Sequence, residues 1–300
     1  MQSSLSIGFV GFGEAAFHIA KGLRQPGVSS ITAYDINTQT PGVGERIQKR
    51  AQETGTRLVE TNQELVRSAS VILSTVTANQ AGPAAEQNVP YLTAQHFYAD
   101  LNSVSPGLKQ SIERTITASG ARFVEIAVMA PVPPHGHRVP MLAGGKAAQE
   151  FAELLGPLGF SIEVVAEQVG TAAAIKMFRS VVVKGLEALL TECVLGATRY
   201  GADQRVFASL AESFPGINWK ELADYMVGRV VVHGERRARE MEEVAATLRS
   251  LDIEPIMAEA IVKRMDWSAK LGLKNRFGGD VPKNYQDVLN VLAKMSAAAD

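Results

Sequence analysis

One cysteine, Cys193, stands in 300 residues, so no internal disulfide framework holds this chain together. A lone thiol in an apolar stretch fits a reducing compartment and a packing role. Charge of one sign is also lacking: 30 Lys and Arg stand against 31 Asp and Glu, a formal net charge of -1. That balance offers no field for nucleic acid or an acidic membrane. No apolar run reaches the length of a membrane helix, and the first residues lack the basic start of a secretory leader. There is no internal repeat and no low-complexity tract. A cytoplasmic protein acting on a small molecule is the expectation. The Ala-rich tail from Met295 to Asp300 is expected to fray.

What is present is ample apolar material, 46% of the chain, in a length that suits two domains. Short apolar runs alternate with helical patterns: Ile7–Val10, Ile31–Tyr34, Val71–Val76, Phe97–Leu101, Phe123–Val128, Met141–Ala143 and Ile162–Val165. Strands alternating with helices predict an α/β doubly wound, mainly parallel sheet over residues 1–166. The last runs have shorter spacers, which leaves that part antiparallel or mixed. From 167 to 300 strand signals fade and an all-helical domain is predicted. Pro215–Gly216, Pro255 and Gly278–Gly279 punctuate it. The segment Trp219–Leu251 sets a charged face against Val230, Met241, Val244 and Leu248. The run from Ala172 to Ala197 is apolar on most sides, which predicts a helix buried at a domain junction or in a dimer.

The strongest local signal is the turn Gly11–Phe12–Gly13–Glu14–Ala15–Ala16 after the first strand. Gly11 permits a tight turn, Gly13 admits a pyrophosphate to the backbone, and Ala16 permits close helix–strand packing. The helix that follows offers unpaired N–H groups and a favourable dipole. This is the phosphate turn of a Rossmann domain. Asp35 lies about 20 residues on, where an acid bonds a ribose 2′-hydroxyl and repels a 2′-phosphate. No Arg or Lys occurs between Ile36 and Gly44, so NAD is expected, with NADP as the alternative. The other reading of Asp35 is an ordinary turn-starting Asp. Thr75, Val76 and Thr77 end a strand at the same edge of the sheet. Asn102 and Ser103 follow another, where ligands of such sheets bind, while Ser105 before Pro106 reads as a helix cap.

Lys176 enters an otherwise apolar helix, with Ser180 one turn further along the same face. Partial burial would disfavour its charged form and suit it to acid–base work. The alternative is that Lys176 and Lys184 both reach out to water. His135 and His137 flank Gly136 without a third ligand, and read as a solvated or substrate-facing loop. Asp266 and Trp267 read as packing or interface residues.

Taken together, the phosphate turn, Asp100–Leu–Asn102–Ser103, Met141–Leu–Ala–Gly144–Gly145 and the Lys176 helix resemble the β-hydroxyacid dehydrogenases. That group includes 6-phosphogluconate and 3-hydroxyisobutyrate dehydrogenases. The resemblance covers most of the first 200 residues. The stretch from Glu235 to Ala245 is similar to a phosphogluconate-dehydrogenase-like branch. The resemblance implies a nicotinamide-dependent dehydrogenase in which Lys176 exchanges a proton with the substrate hydroxyl. It implies that Asn102 and Ser103 lie near substrate and cofactor, that Ser180 binds substrate, and that the helical domains dimerise. Three departures stand out. Ser180 replaces an Asn, Met129–Ala130–Pro131 replaces a Ser-Gly-Gly loop, and Val183 replaces an acid of the decarboxylating enzymes. 6-Phosphogluconate is therefore not the expected substrate. Imine or enamine reduction on the same fold, or nucleotide sensing without catalysis, are the alternatives. Imine-reducing relatives generally lack the lysine.

Overall fold

Six residues of the first strand, Leu5–Val10 (β1), are followed at once by the turn, and the rest of the sheet is built outward from them. The computed structural model describes residues 5–25 and 27–297. The other strands are β2 (Val28–Tyr34), β3 (Arg57–Leu58), β4 (Val71–Ser74), β5 (Phe97–Asp100), β6 (Arg122–Val128), β7 (Met141–Gly144) and β8 (Ile162–Ala166). They form one sheet in the order β3-β2-β1-β4-β5-β6-β7-β8. All pairings are parallel except β6 with β7, which is antiparallel. The predicted doubly wound, mainly parallel sheet is thus observed, and its mixed part is the single reversal at β6–β7. The two-residue β3 escaped the sequence reading because so short a segment carries no period.

Continuous apolar runs make these strands because both faces of the sheet are covered. In β4, Val71 and Leu73 join one core with Phe9, Ile19 and Phe151, while Ile72 joins the other with Leu65, Tyr98 and Ile112. The order in which successive strands are added reverses between β1 and β4, from leftward through β2 and β3 to rightward through β4 and β5. The carboxyl ends of β1 and β4 therefore frame a switch point, the place where such sheets bind ligands.

The chain divides into two compact units, Met1–Lys176 and Met177–Asp300. Helices make up the second: the rest of Thr171–Ala197, then Asp203–Ser213, Trp219–Ser250, Ile256–Lys270, Leu273–Arg276 and Tyr285–Ala297. The last helix runs into the segment expected to fray, whose residues 298–300 lie outside those described. Helix Trp219–Ser250 is capped by Asn218, whose Oδ1 accepts from Glu221 N–H at 3.2 Å. At Gly234 a Cβ would stand 2.8 Å from the Met265 carbonyl oxygen, so the glycine lets helix Ile256–Lys270 approach closely. Asp266 accepts from Arg239 at 2.7 Å, which ties the same two helices and supports its packing role.

Helix Thr171–Ala197 leaves one apolar stripe uncovered within the single chain: Ile175, Val182 and Leu189, seven residues apart, are 42%, 65% and 56% exposed. The alternative in which Lys184 reaches water needs correction. Lys184 is 7% exposed and pairs with Glu240 Oε2 at 2.7 Å. Beside it Glu187, fully buried, binds Arg237 and accepts from Arg229 Nε at 3.1 Å. The sequence pattern hid these pairs because each partner comes from another helix.

Candidate active site

At the end of β1 the backbone turns through Gly11, whose φ of +83° disfavours any side chain. A Cβ there would lie 2.9 Å from both the Thr75 carbonyl oxygen and Val76 Cγ1. Gly13 differs: its φ of −76° is open to any residue. Apart from its own chain neighbours, no atom of the described residues lies within 4 Å of where its Cβ would be. The protein therefore has no internal need for glycine at this position, and the space beside the backbone is open. Gly13 precedes helix Glu14–Gly22, and no side chain caps it. The helix's first N–H groups are left for a ligand. Ala16 is fully buried against the sheet, and Glu14 is exposed on the first turn.

Asp35, just after β2, braces this turn: Oδ2 accepts from Phe12 N–H at 2.7 Å and Oδ1 from Asn37 N–H at 2.9 Å. Each oxygen keeps acceptor capacity for a ribose hydroxyl. The Phe12 ring is buried edge-on against Phe9, so its backbone rather than its ring serves the turn. Thr75 donates its hydroxyl to the Gly11 carbonyl at 2.7 Å and its N–H to Val10 at 2.9 Å, joining the two strand ends. Thr77 donates to Asn79 Oδ1 at 2.7 Å.

Across the switch point a cleft of about 280 Å³ is lined by Ala15, Ile19, Thr75, Val76, Asn102 and Ser103, among others. Lys176 Nζ donates to Ser103 Oγ at 2.7 Å, bringing together two residues 73 positions apart in sequence. Asn102 is buried, and its Nδ2 donates to Ser74 Oγ at 3.0 Å and to Asp100 Oδ1. Ser105 caps the next helix, accepting from Leu108 N–H at 3.3 Å. Ser180 stands one turn after Lys176 on the same helix. A larger hollow of about 480 Å³ lies at the amino end of β2, near Leu23, Arg24 and Thr54, away from all these groups.

Two buried charged residues beside the cleft were missed by the sequence reading. Lys109, 1% exposed, pairs with Asp100 Oδ2 at 2.7 Å and donates to the Asp100 carbonyl at 2.6 Å. Glu125, fully buried in β6, accepts from Gly170 N–H at 2.8 Å and Ala172 N–H at 2.9 Å through Oε1. It caps the helix that carries Lys176 one turn later. The fit depends on Gly144, because a Cβ there would press on Glu125 Oε1 inside van der Waals contact. A charged residue amid the apolar run Phe123–Val128 was the available signal, since both faces of that strand are covered.

The His135–His137 loop is corrected as well. His135 is exposed, but His137 is buried edge-on against Phe160 and packs on Gly22, not toward a substrate. Burial first, and Arg138 second, push its pKa below the ordinary histidine value.

Fold and site define a Rossmann protein with a dinucleotide-type turn and a polar cleft at its switch point. Residues 6–101 match a family model described as NADP oxidoreductase, coenzyme F420-dependent. Residues 197–268 match a domain of unknown function, DUF1932. A conserved hypothetical protein of Sinorhizobium meliloti is 38% identical, with a TM-score of 0.80 over 88% of this chain and 89% of its own. A second conserved protein of unknown function, described as structurally similar to 3-hydroxyacid dehydrogenases, is 31% identical. Its TM-score is 0.77 over 92% of this chain and 100% of its own. The mitochondrial 3-hydroxyisobutyrate dehydrogenase of Drosophila melanogaster is 25% identical over 71% of this chain and 65% of the enzyme. The chain belongs to the β-hydroxyacid dehydrogenase family, whose cofactors are the nicotinamide dinucleotides NAD and NADP.

Proposed function

We propose that this chain is an NAD-dependent oxidoreductase. It transfers a hydride between the nicotinamide and a small hydroxy acid or related polar alcohol. The observation that carries this reading is the 2.7 Å contact of Lys176 with Ser103 beside Asn102, at the carboxyl end of β5. When bound, the cofactor supplies the hydride acceptor. Gly11, Gly13 and the helix N–H groups would hold its phosphates, Asp35 its ribose, and Thr75–Val76–Thr77 its flank. Asp35 without a neighbouring cation favours NAD over NADP. As the alcohol loses hydride from carbon, its hydroxyl proton passes to Lys176 Nζ, and Ser103 Oγ holds that nitrogen in place. Asn102 and Ser180 orient the substrate. The lysine also speaks against imine reduction. Among the described residues no helix is long and apolar enough to cross a membrane, and we place the protein in the cytoplasm. The stripe Ile175–Val182–Leu189 supports a homodimer through the helical region.

The test is a panel of small hydroxy acids with NAD, followed by Lys176→Met on whichever is turned over. Its kcat should fall by about 10²- to 10⁴-fold, the usual contribution of general acid–base catalysis, while the NADH dissociation constant barely changes. Lys184→Met is the comparison, since that lysine is committed to Glu240. Equal loss in both variants, or retained activity without Lys176, would overturn the mechanism. Tight NADH binding with no turnover across the panel would favour the sensor instead, and a preference for NADPH would overturn the cofactor assignment.

A further inference from the structure

Beneath the cleft lies a chain of buried polar groups that the proposed reaction does not use. Asp100 and Lys109 are 0% and 1% exposed, and their charged atoms are 2.7 Å apart. Two backbone carbonyls, of Asp100 at 2.6 Å and Ile126 at 3.3 Å, take further hydrogens of the ammonium. The Lys109 ammonium is thus held by two carbonyls and by the charge of Asp100 Oδ2, which takes no hydrogen bond of its own among the described residues. The other carboxylate oxygen, Oδ1, faces the Asn102 side chain.

A carboxylate oxygen can only accept. The atom of Asn102 turned toward Asp100 must therefore be the nitrogen, whichever way the carboxamide is first drawn. Its second hydrogen goes to Ser74 Oγ at 3.0 Å. Both amide hydrogens are consumed inside the protein. Asn102 Oδ1 has no hydrogen-bond partner among the described residues, although Asn102 is 5% exposed and lines the cleft. An amide that was free to rotate would offer the cleft either a donor or an acceptor. This one has only its acceptor left unpaired, and that oxygen is itself buried.

We propose that Lys109 and Asp100 are positioning residues. Their ion pair fixes the Asn102 carboxamide in one orientation, so that the ligand group meeting it must be a hydrogen-bond donor. Such a donor is an amide N–H of the dinucleotide or a hydroxyl of the substrate. The ligand half of this inference rests on the proposed function; the orientation half does not. An unpaired buried acceptor is costly, so a ligand without a donor at this point is selected against. Specificity at Asn102 is thus set by a lysine seven residues along the chain, without any contact from it to the ligand.

The variant that isolates the effect is the double change Asp100→Asn with Lys109→Met in the full-length protein. It removes both charges together, which buried sites tolerate far better than losing one partner. Its thermal midpoint reports whether it folds. The readout is hydrogen exchange of the Asn102 side-chain amide by NMR in the protein without ligand, the resonance being assigned by its loss in Asn102→Ser. The wild-type amide should exchange slowly. The double variant should exchange faster by roughly 10- to 100-fold, as loss of a charge-assisted hydrogen bond implies. Unchanged slow exchange in a folded double variant would overturn the proposal. A second arm compares NAD with its 3-acetylpyridine analogue, which lacks the amide donor. A wild-type preference for NAD that shrinks in the double variant identifies the dinucleotide as the donor. Equal binding of both by the wild type assigns the donor to the substrate hydroxyl. Failure to bind any dinucleotide, with slow exchange intact, would sink the proposed function and leave the orientation device standing.

Discussion

The two sides of the cleft are made of different materials. On the β1–β2 side the candidate surface is backbone: a positive-φ glycine, an uncapped helix start, and one carboxylate that braces the turn. On the β5–β6 side it is side chains: Asp100, Lys109 and Glu125, all buried, hold Asn102 and the start of the Lys176 helix. A backbone site demands particular residues at fixed spacing, so it writes itself into the sequence. A side-chain site built across strands demands only that partners meet in space.

This contrast can be broken by substitution, and the largest effect is expected on the side-chain half. Glu125→Ala strands two buried N–H groups and should cost about 2–6 kcal/mol in denaturant unfolding, at about 1–3 kcal/mol for each unsatisfied group. Glu125→Gln keeps an acceptor and should cost markedly less. A loss under about 1 kcal/mol for the alanine variant would mean that the cap is idle.

Within the backbone half the two glycines should separate. Gly11→Ala forces a side chain into positive φ and against Thr75, and should lower stability by about 1–3 kcal/mol. Gly13→Ala meets nothing, so stability should shift by no more than the roughly 1 kcal/mol of an altered helix cap. Its NADH affinity should nevertheless fall about tenfold, or roughly 1.4 kcal/mol. If Gly13→Ala binds NADH as well as the wild type does, the open volume at this position is not a phosphate site.

The smallest effect compares the two units through one histidine in each. Burial lowers the pKa of His137 in the first unit and, together with Arg236 and Arg237, that of His233 in the second. The unfolded chain takes up these protons near pH ~6.5, while the folded chain resists them. Each group's contribution is therefore fully present above that pH and is lost as pH falls through it. His137→Gln and His233→Gln should each flatten the decline of the melting temperature between about pH 7 and 5. A slope as steep as that of the wild type in both would refute this.

Legibility followed the same divide. The turn, Asp35, the strand runs and the helix carrying Lys176 could be read because glycine geometry and hydrophobic period leave marks along the chain. Lys109 could not: among the polar residues of helix Pro106–Thr117 it looks like an ordinary solvated position, and only the fold sets it beneath Asp100. Lys184 was misread for the same reason, its partner Glu240 lying 56 residues on. The His135–His137 loop misled in the opposite direction, because a polar, proline-rich composition suggested solvent where Gly22 opens a slot for His137.

Gly144 carries a consequence for the descent of this chain. A single missing methyl on β7 is what allows a carboxylate on β6 to reach the start of a distant helix. Neither position is free to drift alone: an alanine at 144 evicts the long acid, and a shorter residue at 125 removes the reason for the glycine. Substitutions at the two sites should therefore be inherited together. Homologues that have lost one should have lost the other, and should fasten the beginning of their lysine helix by some other acceptor.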